Sequence, residues 1–101
     1  MEVISSGKMK PYIDNVQYDL FEGKKHYRTF FDDVDNEELV WHRDKKDRTI
    51  KVIESKDWKL QMDNELPIPL LMGQEYEIKK LVYHRIHKGK GKLVIEIKEN
   101  D

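Results

Sequence analysis

The chain has 101 residues, which is enough for one domain with a modest core and too short for two. Its nineteen basic and twenty acidic residues nearly cancel, and this balance argues against a nucleic-acid-binding protein, for which a basic excess is typical. The absence of cysteine excludes a disulfide framework and thiolate chemistry, and no apolar run is long enough for a signal peptide or a membrane span. We therefore expect a single cytoplasmic domain, residues 1–101, with neither nucleic acid nor membrane as a partner.

The N-terminal segment, Met1–Gly23, carries a series of apolar and aromatic residues between polar ones. They are Tyr12, Ile13, Val16, Tyr18, Leu20 and Phe21. The segment is too apolar for a free tail and too short for a core of its own. We expect an edge strand, or a strand and a turn, that packs against a second copy of the chain in a homodimer.

From Lys25 onward, short segments with a period of two alternate with polar turns. This alternation, rich in β-branched and aromatic residues, favours half-buried antiparallel strands. The predicted strands are Lys25–Phe31, Glu38–Arg43, Arg48–Glu54, Trp58–Met62, Gln74–Ile78, Leu81–His87 and Lys92–Lys98. A helix through 36–62 is the competing interpretation, and it fails because no apolar residue lies between Trp41 and Ile50, more than two helical turns.

The breaks between these strands have turn compositions. Pro67 and Pro69 cannot donate to a ladder, so they predict an edge or a connection. The segment Lys88–Lys92 has two glycines but lacks the following helix and the hydroxyl residue of a phosphate-binding loop, which indicates a basic hairpin turn. This number of short strands at this spacing predicts an all-β fold, a small sandwich or barrel.

Two of the predicted strands carry histidines that can share one pocket. His42 and Asp44 are two residues apart, so their side chains point the same way, and His84 shares its face with Val82 and Ile86. Two imidazoles and a carboxylate are suited to a metal site. They are equally suited to a metal-free polar pocket in which the histidines bond to neighbours and water.

The spacing of these residues resembles that of the cupin superfamily, the small double-stranded β-helix or jelly-roll barrels. Gly73 and His84 match the glycine and histidine of the second cupin motif, with Lys79, Leu81 and Lys88 where Pro, Gly and Asn are usual. In the first motif, the residues at the family's positions are Asn36, His42, Asp44, Arg48 and Ser55. The resemblance covers residues 38–97 and implies a single RmlC-like jelly-roll barrel.

The resemblance also implies a site. A typical metallo-cupin holds its metal with three histidines and a glutamate, whose positions are occupied here by His42, Asp44, Arg48 and His84. The two histidines and Asp44 would form a facial triad for one divalent ion, iron, manganese or zinc. Arg48 cannot ligate a cation, and an inward arginine would pair with Asp44 or bind an anionic ligand. We expect Gln61 and Met62 as further pocket neighbours.

Three functions follow from this resemblance. The leading hypothesis is a barrel pocket that binds a small molecule, an anion being suited to Arg48. The second is a metal-dependent enzyme, such as a dioxygenase or isomerase, and the third is a non-catalytic structural or interaction module. Whether the chain is an enzyme is left open, because one fold hosts many functions. The resemblance implies no cofactor other than the metal ion.

Overall fold

The computed structural model describes residues 10–100, and the Met1–Met9 part of the predicted N-terminal segment lies outside this range. The described chain forms eight β-strands and one 3₁₀ turn, Asn36–Glu38. The strands are β1 Ile13–Asp19, β2 Gly23–Phe30, β3 Asp47–Glu54, β4 Lys59–Met62, β5 Ile68–Pro69, β6 Glu75–Ile78, β7 His84–His87 and β8 Leu93–Asn100. The all-β fold predicted from the alternation of the sequence is confirmed.

The strands form two antiparallel sheets. The larger sheet has the order β1-β2-β8-β3-β6, and the smaller has the order β5-β4-β7. Neighbours in both sheets are mostly distant in sequence, as in β3 with β8, so long connections cross between the sheets. This double-sheet arrangement with crossing connections is consistent with a jelly roll, which reduces the exposed sheet edges of an antiparallel protein.

The inner faces of the two sheets meet in one apolar core. In β8 the alternation points Leu93, Ile95 and Ile97 inward, and they are paired with inward residues of β2 and β3. The smaller sheet contributes Leu60 of β4, and Trp58 directly precedes this strand; both residues are fully buried. The indole N–H of Trp58 donates to the carbonyl of Lys90 at 3.2 Å, so its buried polar atom has a partner.

The hairpin predicted at 88–92 packs closely against the chain that leads into β4. A Cβ atom built on Gly89 would lie 2.2 Å from the carbonyl oxygen of Lys56 and 2.4 Å from the backbone nitrogen of Trp58. The glycine is therefore required by close backbone approach. The interpretation of this segment as a turn rather than a phosphate-binding loop is consistent with that role.

One predicted strand is wrong. The segment Glu38–Arg43 contains the end of the 3₁₀ turn and a single bridge at His42, not a continuous strand. The cause is a capping box, in which the Asp35 side chain accepts from the Glu37 backbone N–H at 3.0 Å while the Glu38 carboxylate accepts from the Asp35 N–H at 3.2 Å. These bonds start a helical turn where the apolar alternation alone favours a strand.

Both segments that were predicted as sheet edges contain an outer strand. β1 is the outer strand of the larger sheet, and β5, which contains Pro69, is the outer strand of the smaller one. Over residues 10–100, no helix has the length and apolar character needed to cross a bilayer. The cytoplasmic location expected from the sequence stays a prediction.

Candidate metal centre

Backbone pairing places His42 and His84 side by side. The N–H of His42 donates to the carbonyl of His84 at 3.0 Å, and the N–H of His84 donates to the carbonyl of His42 at 2.9 Å. Residues that exchange both bonds stand directly opposite in an antiparallel pair, with their side chains on the same face. The two imidazole rings accordingly lie with centroids 4.2 Å apart, edge to face.

Asp44 joins this pair because it lies two residues after His42. Its backbone carbonyl accepts from the N–H of Leu81 at 2.8 Å, which extends the contact between the two segments. One ligand atom each from His42, Asp44 and His84 can be chosen so that all lie within 4.8 Å of one another. Two ligand atoms that each lie about 2.1 Å from a tetrahedral metal ion are about 3.4 Å from each other. The Nε2 of His84 lies 3.4 Å from Asp44 Oδ2, which matches this separation.

Backbone carbonyls orient both imidazoles. The Nδ1 atom of His84 contacts the carbonyl of Val82 at 2.9 Å, and the Nδ1 atom of His42 contacts the carbonyl of Val40 at 3.2 Å. A carbonyl oxygen carries no proton, so in each contact Nδ1–H is the donor. The Nε2 lone pair is left for a further partner, which is the arrangement that metal-ligating histidines show.

The carboxylate oxygen that faces these rings has no hydrogen bond. Oδ2 of Asp44 is buried and accepts none from the described residues, whereas Oδ1 lies 3.4 Å from the Nη1 of Arg48. Burial lowers the pKa of His84 below its ordinary value, and the nearby His42 ring adds to this effect. His84 is thus held neutral near pH 7, so no proton on Nε2 satisfies the carboxylate. The residues present fit a divalent cation.

Arg48 pairs with Asp44, as expected, and also with Glu99. It makes one contact with Asp44, and its Nη2 and Nε both donate to Oε2 of Glu99, at 3.0 and 3.2 Å. The expected pairing of Arg48 with Asp44 is present as a single contact at 3.4 Å and not as a two-bond fork, because Glu99 on the neighbouring strand β8 takes two of its donors. Oδ2 of Asp44 stays available to an ion.

A cavity of about 270 Å³ adjoins the histidines and opens to solvent. Its walls include three of the predicted site residues, His42, Asp44 and Arg48, while His84 lies buried behind them. The other lining residues were not predicted as site residues from the sequence. They are Pro11, Tyr12, Arg28, Phe30, Glu38, Leu39, Val40 and Ile86. The alternation in β2 that turns Phe30 inward also turns Arg28 inward, which was the available signal.

Gln61 and Met62 do not line this cavity. Gln61 lies on the outer face of β4, where its side-chain oxygen accepts from His87 Nε2 at 2.8 Å, so its placement in the pocket is a correction to the sequence prediction. Met62 pairs with His84 across the smaller sheet and packs against the core. It is a neighbour of the site through that contact.

The geometry defines an all-β fold with two imidazoles and a carboxylate beside a cavity that opens to solvent. The solved structures that share this fold include two cupin domain proteins and HppE. A cupin-2 domain protein from Shewanella frigidimarina matches with TM-score 0.63 and 20% identity over 87% of this chain and 80% of that one. A cupin domain from Bordetella pertussis matches with TM-score 0.60 and 19% identity over 93% of this chain and 98% of that one.

The third is HppE, solved with cobalt(II) in complex with Tris buffer. It matches with TM-score 0.66 and 14% identity, over 92% of this chain and 55% of that one. No family sequence model matches the chain, and no curated protein is detectably similar to it in sequence. The protein has the cupin fold, which confirms the resemblance seen in its motif spacing.

Leu81 occupies the position of a cupin-motif glycine, and its backbone has φ of 63°. A side chain in this left-handed region costs roughly 1–2 kcal/mol, and Leu81 is 56% exposed, so it gains little burial in return. We expect Leu81→Gly to raise the free energy of unfolding by about 0.5 kcal/mol, after a loss of roughly 0.4–1 kcal/mol for the greater freedom of glycine in the unfolded chain.

Urea unfolding measures this difference. Lys80→Gly, at the preceding exposed position with ordinary backbone, is the matched control and should lower the free energy of unfolding by about 0.5–1 kcal/mol. Equal destabilisation by the two substitutions would contradict the strain at Leu81.

Proposed function

We propose that this protein binds one divalent metal ion through His42, Asp44 and His84 and accepts a small molecule in the adjoining cavity. The observation that carries the proposal is the buried Oδ2 of Asp44, which lies 3.4 Å from Nε2 of His84 and receives no hydrogen bond from the described residues. Three acceptor atoms that converge without a donor repel one another. A cation removes this repulsion, and the neutral His84 does not supply one.

The charges around the cavity favour this function over a metal-free anion pocket. Arg48 is paired with Asp44 and Glu99, and Arg28 is paired with Asp14. The two guanidinium groups are therefore balanced by carboxylates before any ligand arrives. Without a metal ion the cavity has no excess positive charge that would select an anion.

Different residues of the chain would have different roles at such a site. The carbonyls of Val40 and Val82 hold the imidazoles with Nε2 toward the ion, and Arg48 holds Oδ1 of Asp44 so that Oδ2 is presented. A bound iron, manganese or zinc ion would supply a Lewis acid with coordination positions left for a small molecule. This arrangement supports a metal-dependent dioxygenase or isomerase, and a binding protein without turnover uses the same contacts.

Elemental analysis tests the metal. Protein prepared without a His-tag and reconstituted in turn with iron(II), manganese(II) and zinc(II) should retain about one ion per chain. Because each ligand atom contributes directly, His84→Gln and Asp44→Asn should lower the affinity by about 100-fold or more. Titration calorimetry with zinc(II) gives the affinities.

His87→Gln is the matched control, since His87 lies on the outer face of β7 and bonds to Gln61. It should bind zinc as the unchanged protein does. Substoichiometric metal in the unchanged protein after reconstitution, or equal losses in His87→Gln and His84→Gln, would overturn the proposal.

We also propose that the protein is a homodimer that pairs through β1 and the turn that follows it. β1 is an edge strand whose residues are all exposed, and the turn presents Leu20 at 98% and Phe21 at 96% exposure. An unpaired strand edge beside large exposed apolar side chains is a favourable surface for a second copy.

Light scattering coupled to size exclusion at micromolar concentration measures the mass. The unchanged chain should be dimeric, and Leu20→Ser/Phe21→Ser should be monomeric or a weaker dimer. Leu66→Ser is the control, because Leu66 is 84% exposed beside the other sheet. A monomeric mass for the unchanged chain rules the dimer out, and a dimer unaffected by the double substitution places the interface elsewhere.

A further inference from the structure

Arg28 lines the same cavity as the candidate metal ligands but comes from a different part of the chain. It lies in β2, opposite Asp14 of β1 and Ile95 of β8. Arg28 is part of the cavity wall, together with His42, Asp44 and Arg48. Two arginines thus line a cavity beside which the three candidate ligand atoms are grouped.

The Arg28 guanidinium is held in place by Asp14 and Tyr12. Its Nε and Nη2 donate to the two oxygens of Asp14 at 2.8 and 3.3 Å, and its plane lies over the Tyr12 ring at 3.8 Å from the centroid. Asp14 is not among the residues that line the cavity. Among residues 10–100, no group accepts a hydrogen bond from Nη1 of Arg28, so two N–H donors are left for a ligand.

The remaining walls are mainly apolar. Phe30, Leu39 and Ile86 are buried and contribute aromatic and aliphatic surface, and Val40 adds to it. The Glu38 carboxylate lines the cavity as well, but it accepts from the backbone of Asp35. A cavity with apolar walls and prepositioned guanidinium donors suits a molecule with an apolar body and an acidic group.

We propose that the ligand of this protein is a small organic acid whose carboxylate binds Arg28 and whose apolar body lies against Phe30 and Ile86. The charged side chains that line the cavity are Arg28, Arg48, Glu38 and Asp44, which balance. A divalent ion on Asp44 adds two positive charges to this wall, while Asp14 and Glu99, which pair with the two guanidinium groups, lie outside it. Acid binding and metal binding therefore strengthen each other, a coupling that rests on the proposed metal function.

Benzoate and its uncharged counterpart benzamide are suitable probes. Ligand-observed NMR and titration calorimetry would compare their binding to the zinc-loaded and zinc-free full-length protein. Benzoate should bind the unchanged protein at least tenfold more tightly than benzamide, and zinc should increase its affinity. Arg28→Gln should weaken benzoate binding by about tenfold to a hundredfold. This change in affinity corresponds to the loss of one charged hydrogen bond, roughly 1.5–3 kcal/mol.

Arg28→Lys keeps the charge but lacks the fork, and it should recover part of the loss. Arg43→Gln is the matched control, because Arg43 also lies over a tyrosine, Tyr83, but does not line the cavity. Thermal unfolding and zinc titration of each variant show separately whether the fold and the metal site persist.

The outcomes separate the two proposals. Zinc binding without preference for benzoate over benzamide, or with equal benzoate affinity in Arg28→Gln, overturns the organic-acid ligand and leaves the metal site standing. Arg28-dependent benzoate binding in a protein that binds no zinc overturns the metal site and supports the acid ligand without the coupling.

Discussion

The reciprocal backbone hydrogen bonds between His42 and His84 are the constraint on which the site depends. They join an irregular segment after the 3₁₀ turn to the start of β7 and place two imidazoles on one face. Because Asp44 follows His42 by two residues, its carboxylate is brought to the same face. A shift of one residue in this pairing would turn the rings to the opposite face and separate the three acceptor atoms.

Much of the fold could be predicted because apolar and polar residues alternate along the strands. β3 and β8 have inward residues at every second position, and the predicted strands there differ from the observed ones by a few terminal residues. The failure at Glu38–Arg43 has a local cause as well, since the Asp35 capping box competes with the alternation. Which strands are neighbours could not be derived from alternation, because cross-strand pairing is long-range, and the cupin motif spacing implied only the jelly-roll fold.

The grouping of the three candidate ligands could also be predicted. His42, Asp44 and His84 lie together as the spacing indicated. The alternation in β2 indicates that Arg28 shares a face with Phe30, but its pairing with Asp14 depends on the β1–β2 register, which the sequence does not show. The left-handed backbone at Leu81 was also hidden, because leucine seldom adopts it and only the glycine of the family motif points to it. Such departures from local preference are common at functional sites.

The tautomeric state of the two histidines tests the central claim most directly. Long-range ¹H–¹⁵N correlation spectra of the metal-free protein at pH 8 distinguish a protonated Nδ1 from a protonated Nε2. The account predicts Nδ1–H in both rings, because each Nδ1 donates to a carbonyl, and a large change of both Nε2 shifts when zinc is added. Nε2–H tautomers in both rings, with shifts unchanged by zinc, would contradict it.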